Sequence, residues 1–257
     1  MKPVNVTGKA WPGIRYFCTT RHGGVSLAPF DTNNLGLHVG DDIDAVRENR
    51  KRLAEQLPAA PIWLNQVHGT DVFDADAAIA KGYFTGNTDA SLHSEGDYDA
   101  SVTSAPGRVL AIMTADCLPV VFAGDNIVGA AHAGWRGLAG GVLENTVNKM
   151  QACSGKLPDY AWIGPGISCK AFEVGLPVRE AFLDLAPALA EYFVPHPDNA
   201  GKWFADLSAI AAWRLSRLGI AHIEQSGQCT YRQNDLFYSY RRENVTGRMA
   251  TVIWLEP

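Results

Sequence analysis

Two short apolar runs constrain this chain most, because each leads directly into a reactive side chain. Residues 109–114 (VLAIMT) precede Cys117, and residues 127–131 (IVGAA) precede His132. Runs this short and this apolar are typical of buried β-strands, and Pro119 punctuates the sequence between them. If the two strands are neighbours, Cys117 and His132 lie close together. A thiolate and an imidazole at adjacent strand ends suit either a metal ion or a Cys–His nucleophile pair.

A third predicted strand repeats this pattern, since residues 61–67 (PIWLNQV) run into His68. Two imidazoles and one thiolate are borderline-soft ligands that suit Zn²⁺. Three protein ligands leave a fourth position open for water or substrate, which is the mark of a catalytic zinc. His68, Cys117 and His132 are therefore the candidate metal ligands. A single copper ion fits the same ligands, but seven histidines without a His-x-His pair cannot build a multicopper relay.

The composition excludes several classes of protein. The chain has 257 residues, 47% of them hydrophobic and 19% charged, with a formal net charge of −5. That is enough for a substantial core, and the absence of a basic block argues against nucleic-acid binding. No run of eighteen apolar residues predicts a membrane span, and the N-terminus lacks the apolar region of a signal peptide. Five cysteines without a CxxC pair predict no disulfide framework. We expect a cytoplasmic protein.

Predicted strands and helices alternate without a strict βαβ rhythm, which favours an α+β fold with mixed sheets. The polar segment 81–96 is predicted to be a surface loop inserted within one domain. Amphipathic periodicity predicts helices over residues 42–56, 138–152, 177–189 and 206–218. Further strands are predicted over residues 13–20, 160–165, 221–225 and 249–255.

Several polar side chains are candidates for substrate binding. Arg21 precedes a pair of glycines, and Arg136 lies at the glycine-rich start of a predicted helix. Both settings suit an anion, although a hairpin turn and close helix packing explain the glycines equally well. Arg241 is a third candidate to clamp an anion. Gln66 and Asn34 are candidates to read the edge of a base or ribose.

Three segments resemble the signatures of the laccase-domain family, whose members are also called polyphenol oxidases, peptidoglycan editing factors or purine nucleoside phosphorylases. These segments are residues 65–69 (NQVHG), 114–119 (TADCLP) and 132–137 (HAGWRG). Residues 21–26, 163–166, 172–175 and 239–242 are also similar to family blocks, so the resemblance covers nearly the whole chain. Members often carry a cysteine at the position of Gly166.

The resemblance implies one domain over residues 1–257, with mixed β-sheets packed as a sandwich and flanked by helices, similar to bacterial Cys–His toxin hydrolases. It implies zinc held by His68, Cys117 and His132, which are also the catalytic residues. The implied activities are phosphorolysis of adenosine, inosine, guanosine and methylthioadenosine, together with adenosine deamination. Copper-dependent oxidation of phenols, and editing of a cell-wall precursor by a Cys–His amide hydrolase, are also attributed to the family.

The leading hypothesis is a zinc-dependent purine nucleoside phosphorylase with adenosine deaminase activity. The alternatives are a copper-dependent polyphenol oxidase, a Cys–His amide hydrolase with Cys117 as nucleophile, and a zinc protein without catalytic activity. The expected partners are a purine nucleoside and phosphate, with no nucleic acid and no membrane. The chain is expected to be a monomer or a weak homo-oligomer.

Overall fold

A computed structural model describes residues 4–80 and 94–257 of the chain. The helices are α1 Ile43–Ala54, α2 Ala75–Ala80, α3 Trp135–Gly140, α4 Val142–Ser154, α5 Leu176–Leu183 and α6 Leu207–Arg217. The strands are β1 Ile14–Cys18, β2 Trp63–Asn65, β3 Val72–Asp74, β4 Ser94–Asp97, β5 Ala100–Thr103, β6 Leu110–Thr114, β7 Leu118–Gly124, β8 Ile127–Ala133, β9 Tyr160–Ile163, β10 Glu173–Gly175, β11 Phe193–Pro195, β12 Lys202–Ala205, β13 His222–Gln225 and β14 Met249–Leu255.

The largest sheet has six strands in the order β13-β9-β7-β8-β5-β3. Its inner strands pair antiparallel, whereas β13 with β9 and β3 with β5 pair parallel. A second sheet, β1-β14-β6, is antiparallel throughout. The smaller sheets are β10-β12-β11 and β2-β4. The expected α+β class with mixed sheets and flanking helices is confirmed.

The two larger sheets pack face to face, because side chains alternate between the two sides of each strand. On β7, Val120 and Phe122 lie in one core with the buried faces of α4 and α6, while Val121 points into another core. That second core lies between the sheets and contains Ile112 of β6 and Ile253 of β14. Successive strand residues face opposite sides of a sheet, so each central strand contributes to two cores.

A third core covers the outer face of the β1-β14-β6 sheet. Ala111 and Met113 of β6 pack there with Leu53 of α1. Asp42 caps α1, and its side chain accepts hydrogen bonds from the amides of Asp44 and Ala45. The layers therefore run helix, sheet, sheet, helix, and the two apolar runs of the sequence lie in the middle.

Pro119 was wrongly predicted to interrupt the sequence between those runs, because it lies within β7, Leu118–Gly124. Pro119 lies opposite His132 in the β7–β8 ladder, and the His132 amide donates instead to the Asp99 carbonyl on the other side. The ladder therefore needs no proline N–H at this position, while the Pro119 carbonyl still accepts from Gly164. Proline usually interrupts a strand, but the hydrogen-bonding pattern of β7 with its neighbours accommodates one at this position.

Two predicted helices and one predicted loop have different boundaries in the structure. The helix predicted over 138–152 begins earlier and is divided into α3 and α4 by Gly141, which has a left-handed φ of 101°. The helix predicted over 177–189 ends at Leu183 and is followed by a separate 3₁₀ segment, Pro187–Tyr192. Of the loop predicted over 81–96, residues 81–93 lie outside the described residues, and the rest begins β4. Within the described residues, no helix is long and apolar enough to cross a membrane.

Candidate metal centre and its cavity

The structure brings the three candidate ligands together at one edge of the six-stranded sheet. Cys117 immediately precedes β7, His132 lies near the end of β8, and His68 follows β2. One potential ligand atom from each of the three lies within 4.8 Å of the others. The Cys117 Sγ is 3.9 Å from His68 Nε2, and the two imidazole rings meet edge to face with centroids 4.8 Å apart.

Asp99, directly before β5, fixes both histidines. Its fully buried carboxylate accepts the backbone N–H groups of Val67, His68 and Gly69 at 3.1, 3.0 and 2.6 Å. It also lies 2.7 Å from His132 Nδ1. Because a carboxylate accepts, His132 donates through Nδ1–H and keeps Nε2 for a ligand. Burial raises the pKa of Asp99, but these donors outweigh it and hold the carboxyl ionised.

Gly134 gives the ligand side chains room to converge. A Cβ atom at this position would lie 2.9 Å from His68 Cδ2 and 3.0 Å from Cys117 Sγ. Such a contact requires a shift of the ligands themselves. The glycine after β8 is therefore part of the site, although it supplies no reactive group.

Asp116 turns the chain so that Cys117 enters the site. Its φ of 109° is left-handed and unusual for a residue other than glycine. The carboxylate accepts the Thr230 hydroxyl and the Arg241 amide, each at 2.7 Å, and its carbonyl accepts the Ile167 amide. Burial outweighs these bonds and raises the pKa of the Asp116 carboxyl. Contacts from distant segments thus hold a strained conformation next to the thiol.

Cys117 and His132 change each other's protonation. Burial raises the pKa of the Cys117 thiol, but the charge of His132 and the hydrogen bonds from both histidines outweigh it and lower that pKa. Burial lowers the pKa of His132, but Cys117 and Asp99 outweigh it and raise that pKa. Both directions favour a thiolate beside an imidazolium in the metal-free protein. The thiolate is the form that binds metals and acts as a nucleophile.

The donor set fits a tetrahedral metal such as zinc. With zinc–sulfur and zinc–nitrogen bonds of about 2.3 and 2.0 Å, tetrahedral ligand atoms lie about 3.3–3.6 Å apart. The separation of 3.9 Å between Cys117 Sγ and His68 Nε2 is a few tenths of an ångström wider. Within residues 4–80 and 94–257, this is the one group of three or more His, Cys, Asp or Glu side chains close enough to share an ion. The set has three protein ligands, which leaves one tetrahedral position open.

A cavity of about 440 Å³ opens over the three ligands. Its walls are mixed, with Leu64 and Met113 supplying apolar surface and Tyr240 an aromatic ring. His38 and Arg248 add polar groups. Burial, followed by the charges of Arg248 and Arg50, lowers the pKa of His38. The size and the mixed lining are those of a small-molecule site.

Two of the predicted substrate-binding residues lie at this cavity or behind it. Gln66 lines the cavity, but its side-chain amide is already paired. Its Oε1 accepts a hydrogen bond from the Met113 N–H at 2.7 Å, and its Nε2 donates one to the Met113 carbonyl at 2.8 Å. Asn34 is fully buried, and its Oδ1 accepts the backbone N–H groups of Gly36 and Arg248. Both side chains therefore hold the cavity wall in place.

The cavity is not lined by any of the three arginines predicted to bind an anion, which are Arg21, Arg136 and Arg241. The Arg21 guanidinium binds oxygens of Asp31 and Asn234. Arg136 is exposed, with its guanidinium over the neighbouring Trp135 ring. Arg241 donates a side-chain hydrogen bond to the Glu173 carbonyl.

Sequence reasoning missed four residues that the structure places at the site: Asp99, Gly134, His38 and Arg248. Asp99 had a usable signal, because it is an acidic residue directly before an apolar strand that pairs with the strand carrying His132. Gly134 lies within a segment already singled out. His38 lies in a glycine-rich loop and Arg248 before a terminal strand, and neither context distinguishes them from surface residues.

Two histidines and one cysteine with a fourth position open, on a mixed α+β sandwich, form a possible metal site of the kind that proteins use for zinc. Residues 15–256 match the profile of the family described as multi-copper polyphenol oxidoreductase laccase. The chain belongs to this family.

Named relatives and solved structures are similar to the chain along nearly its whole length. The chain is 48% identical to purine nucleoside phosphorylase YfiH of Escherichia coli (strain K12), over 95% of this chain and 96% of that protein. It is 40% identical to Neisseria meningitidis protein NMB0706, whose crystal structure matches with a TM-score of 0.87 over all of both chains. YlmD from Geobacillus stearothermophilus is 32% identical with a TM-score of 0.83, over 96% of this chain and 93% of that one.

Proposed function

We propose that this protein is a zinc-dependent purine nucleoside phosphorylase that acts on adenosine, inosine, guanosine and methylthioadenosine. The observation that carries this proposal is the cavity of about 440 Å³, in which the His68–Cys117–His132 cluster shares apolar and aromatic walls with an arginine. The name of the relative in Escherichia coli supports it. We place the enzyme in the cytoplasm, as a monomer or weak homo-oligomer.

Phosphorolysis makes two demands on such a site. As the N-glycosidic bond breaks, positive charge develops on the ribose and negative charge on the purine. The site must stabilise the departing base and hold an anion near the sugar. Bound at His68, Cys117 and His132, zinc supplies a Lewis acid. Asp99 keeps the His132 ring oriented through Nδ1, and the walls formed by Leu64, Met113 and Tyr240 offer contact surface for a flat base.

Adenosine incubated with the pure protein tests this proposal. With phosphate present we expect adenine and ribose 1-phosphate, and without phosphate we expect neither. Removal of the metal with a chelator should abolish the products, and added zinc should restore them. If adenosine survives with phosphate and zinc both present, the phosphorylase proposal fails.

Adenosine deamination is the second activity that we propose for the same metal site. Its product is inosine, and its formation does not need phosphate. The same incubation without phosphate therefore separates the two reactions. If inosine is absent under these conditions, the deaminase part of the proposal fails. The phosphorylase part is tested separately, by the formation of adenine and ribose 1-phosphate.

One specific observation favours a second candidate, a Cys–His amide hydrolase acting on a cell-wall precursor. Cys117, His132 and Asp99 have the order of a nucleophile, a base and the group that orients the base, with Asp99 Oδ1 2.7 Å from His132 Nδ1. A thiolate held on zinc is a poor nucleophile. The hydrolase therefore predicts activity that survives chelation and is lost when Cys117 is alkylated, whereas the phosphorylase predicts loss on chelation.

Copper-dependent oxidation of phenols is the remaining alternative. The same three ligands suit one copper ion, but the described residues offer no second cluster for a multicopper relay. Phenol oxidation by copper-loaded protein, measured against zinc-loaded protein, tests it. Activity confined to the copper form would favour this alternative over the phosphorylase.

A further inference from the structure

Arg248 differs from the other positively charged side chains near the site. Among the described residues it is the one lysine or arginine that lines the metal cavity, and it forms no salt bridge with any of them. Within the part of the chain that the structure describes, no aspartate or glutamate lines the cavity. The charges of Cys117 and Asp116 act on this guanidinium without a direct ion pair. Its donors are therefore not taken up by a carboxylate of the described residues.

The hydrogen bonds of this guanidinium leave one edge open. Nη1 donates to the carbonyls of Thr246 and Gly247, at 3.1 and 3.0 Å. Nε and Nη2 make no hydrogen bond to the described residues. These two nitrogens form the edge that donates two parallel N–H groups to a planar or tetrahedral oxyanion.

Neighbouring arginines show what a purely structural guanidinium looks like in this protein. Arg242 donates from Nε to Glu243, from Nη1 to two carbonyls and from Nη2 to the Phe237 carbonyl. Arg21 likewise donates from Nε, Nη1 and Nη2 to protein oxygens. Each of those side chains uses all three nitrogens, whereas Arg248 uses one.

The fold holds Arg248 in place from three directions. Its amide donates to the buried Asn34 Oδ1 at 2.9 Å. A Cβ at Gly36 would lie 2.8 Å from Arg248 Cγ, so only glycine leaves room for the arginine stem. A Cβ at Gly247 would lie 2.6 Å from the Tyr238 ring, so the preceding residue is packed equally closely. A side chain positioned in advance loses less entropy when it binds a ligand.

We propose that the Nε–Nη2 edge of Arg248 is the oxyanion subsite of the cavity and holds the phosphate co-substrate. This proposal rests on the proposed phosphorylase function. A phosphate oxygen forms a bond to C1′ of the ribose while the bond from C1′ to the purine nitrogen breaks. The bonding electrons leave with the purine, and the proton carried by hydrogen phosphate ends on that base. Arg248 binds the remaining phosphate oxygens and orients the attack.

Kinetics of Arg248→Gln and Arg248→Lys test the subsite. Gln keeps length and polarity without charge, and Lys keeps charge without the fork. We expect the KM for phosphate to rise about 10–100-fold in Arg248→Gln, the loss of one or two charge-assisted hydrogen bonds, with a smaller rise in Arg248→Lys. The KM for the nucleoside should stay within about threefold of the wild-type value.

Arg217→Gln is the matched control, because Arg217 is an exposed arginine over an aromatic ring, Trp213, outside the cavity. Zinc content and thermal unfolding should be measured for every variant, which separates subsite loss from metal loss or misfolding.

Phosphate binding should also be measured without turnover, by calorimetric titration of the zinc-loaded protein, with acetate as a second anion. We expect phosphate to bind the wild type and Arg217→Gln but not Arg248→Gln.

The possible failures are distinguishable. An unchanged phosphate KM in Arg248→Gln, or a rise in the nucleoside KM alone, would overturn the subsite while leaving the phosphorylase proposal intact. If the wild type cleaves no nucleoside, the phosphorylase proposal fails and the titration decides the subsite by itself. Phosphate binding that is lost in Arg248→Gln would then support the subsite, and equal binding by both proteins would overturn it. Binding of acetate but not phosphate by the wild type would overturn the assignment to phosphate.

Discussion

The hairpin of β7 and β8 has one end built from local geometry and another built from distant contacts. At the turn, Gly124 pairs with Ile127 across two residues, and Asn126 supplies the left-handed φ of 56° that the turn needs. Asparagine tolerates this conformation. At the open end, Asp116 also has a left-handed φ, but its side chain is held by Thr230, more than a hundred residues away in sequence.

This contrast explains why the chemistry lies at the open end. The conformation of the turn depends only on residues that are adjacent in sequence. It therefore does not bring side chains from other segments together to bind a ligand. The open end gathers Cys117, His132 and the carboxylate of Asp99 because several segments of the chain meet there. Substitutions at the two ends should therefore have different consequences, with metal binding affected at the open end and little affected at the turn.

The strongest test of this contrast is Cys117→Ser. A serine hydroxyl stays protonated and binds zinc weakly, so the variant loses the softest of the three ligands. We expect zinc affinity to fall by more than the roughly 10–100-fold that loss of an outer-shell partner costs, with nucleoside cleavage lost and the fold retained. Metal analysis by mass spectrometry, the nucleoside assay and circular dichroism measure these three outcomes.

Cys153→Ser is the control for that variant, since Cys153 is an exposed cysteine on α4. It should bind zinc like the wild type. Equal zinc content in Cys117→Ser and the wild type would contradict the ligand assignment. Lost activity with zinc retained would instead make Cys117 a nucleophile or acid and favour the hydrolase. His93 falls within the loop predicted over residues 81–96 and lies outside the described residues.

Asp99→Asn should have the next largest effect, because Asp99 accepts four hydrogen bonds at the site. An amide replaces one acceptor oxygen by a donor, which then faces N–H groups. We expect zinc affinity to fall about 10–100-fold and the free energy of unfolding to fall by about 2–4 kcal/mol. Competition with a zinc-binding dye and urea denaturation measure these changes.

Asp125→Asn provides the matched substitution at the turn end of the hairpin. Asp125 is exposed and pairs with Lys156 at 2.8 Å. An exposed ion pair contributes at most about 1 kcal/mol, so stability should change little and zinc affinity should not change. Equal losses of zinc affinity in Asp99→Asn and Asp125→Asn would contradict the difference between the two ends.

Gly134→Ala tests whether crowding alone disturbs the ligands. The φ of Gly134 is −63°, so alanine fits the backbone, but its Cβ would press on His68 and Cys117. We expect zinc affinity to fall about tenfold with a loss of stability below about 1 kcal/mol. Gly175→Ala is the control, because its Cβ would meet no atom closer than 3.7 Å. Unchanged zinc affinity in Gly134→Ala would show that the ligands relax around the methyl group.

Asn126→Gly should have the smallest effect of all. Glycine adopts the left-handed conformation at least as readily as asparagine, so stability should stay within about 0.5 kcal/mol of the wild type. Zinc content should be the same. A measurable loss of zinc in Asn126→Gly would show that the turn is coupled to the open end after all.

Much of the fold was predictable from local sequence. The strand predicted over residues 249–255 matches β14, and the helices predicted over 42–56 and 206–218 match α1 and α6 to within two residues at each end. These elements have strong periodicity or a capping aspartate, and both signals act over one or two turns of chain. Pro119 misled the prediction because its compatibility with β7 depends on where the His132 amide donates.

The sequence by itself determined that His68, Cys117 and His132 each follow or border an apolar strand, and that their donor atoms suit one soft metal. Only the tertiary structure decided which charged groups accompany them. Arg21, Arg136 and Arg241 have more suggestive sequence contexts than Arg248, yet Arg248 lines the cavity. The physical reason is that a side chain binds the ligand of a cavity only if its neighbours place it at that cavity and leave its donors unpaired. Those neighbours, such as Asn34 beside Arg248 and Thr230 beside Asp116, come from distant parts of the chain.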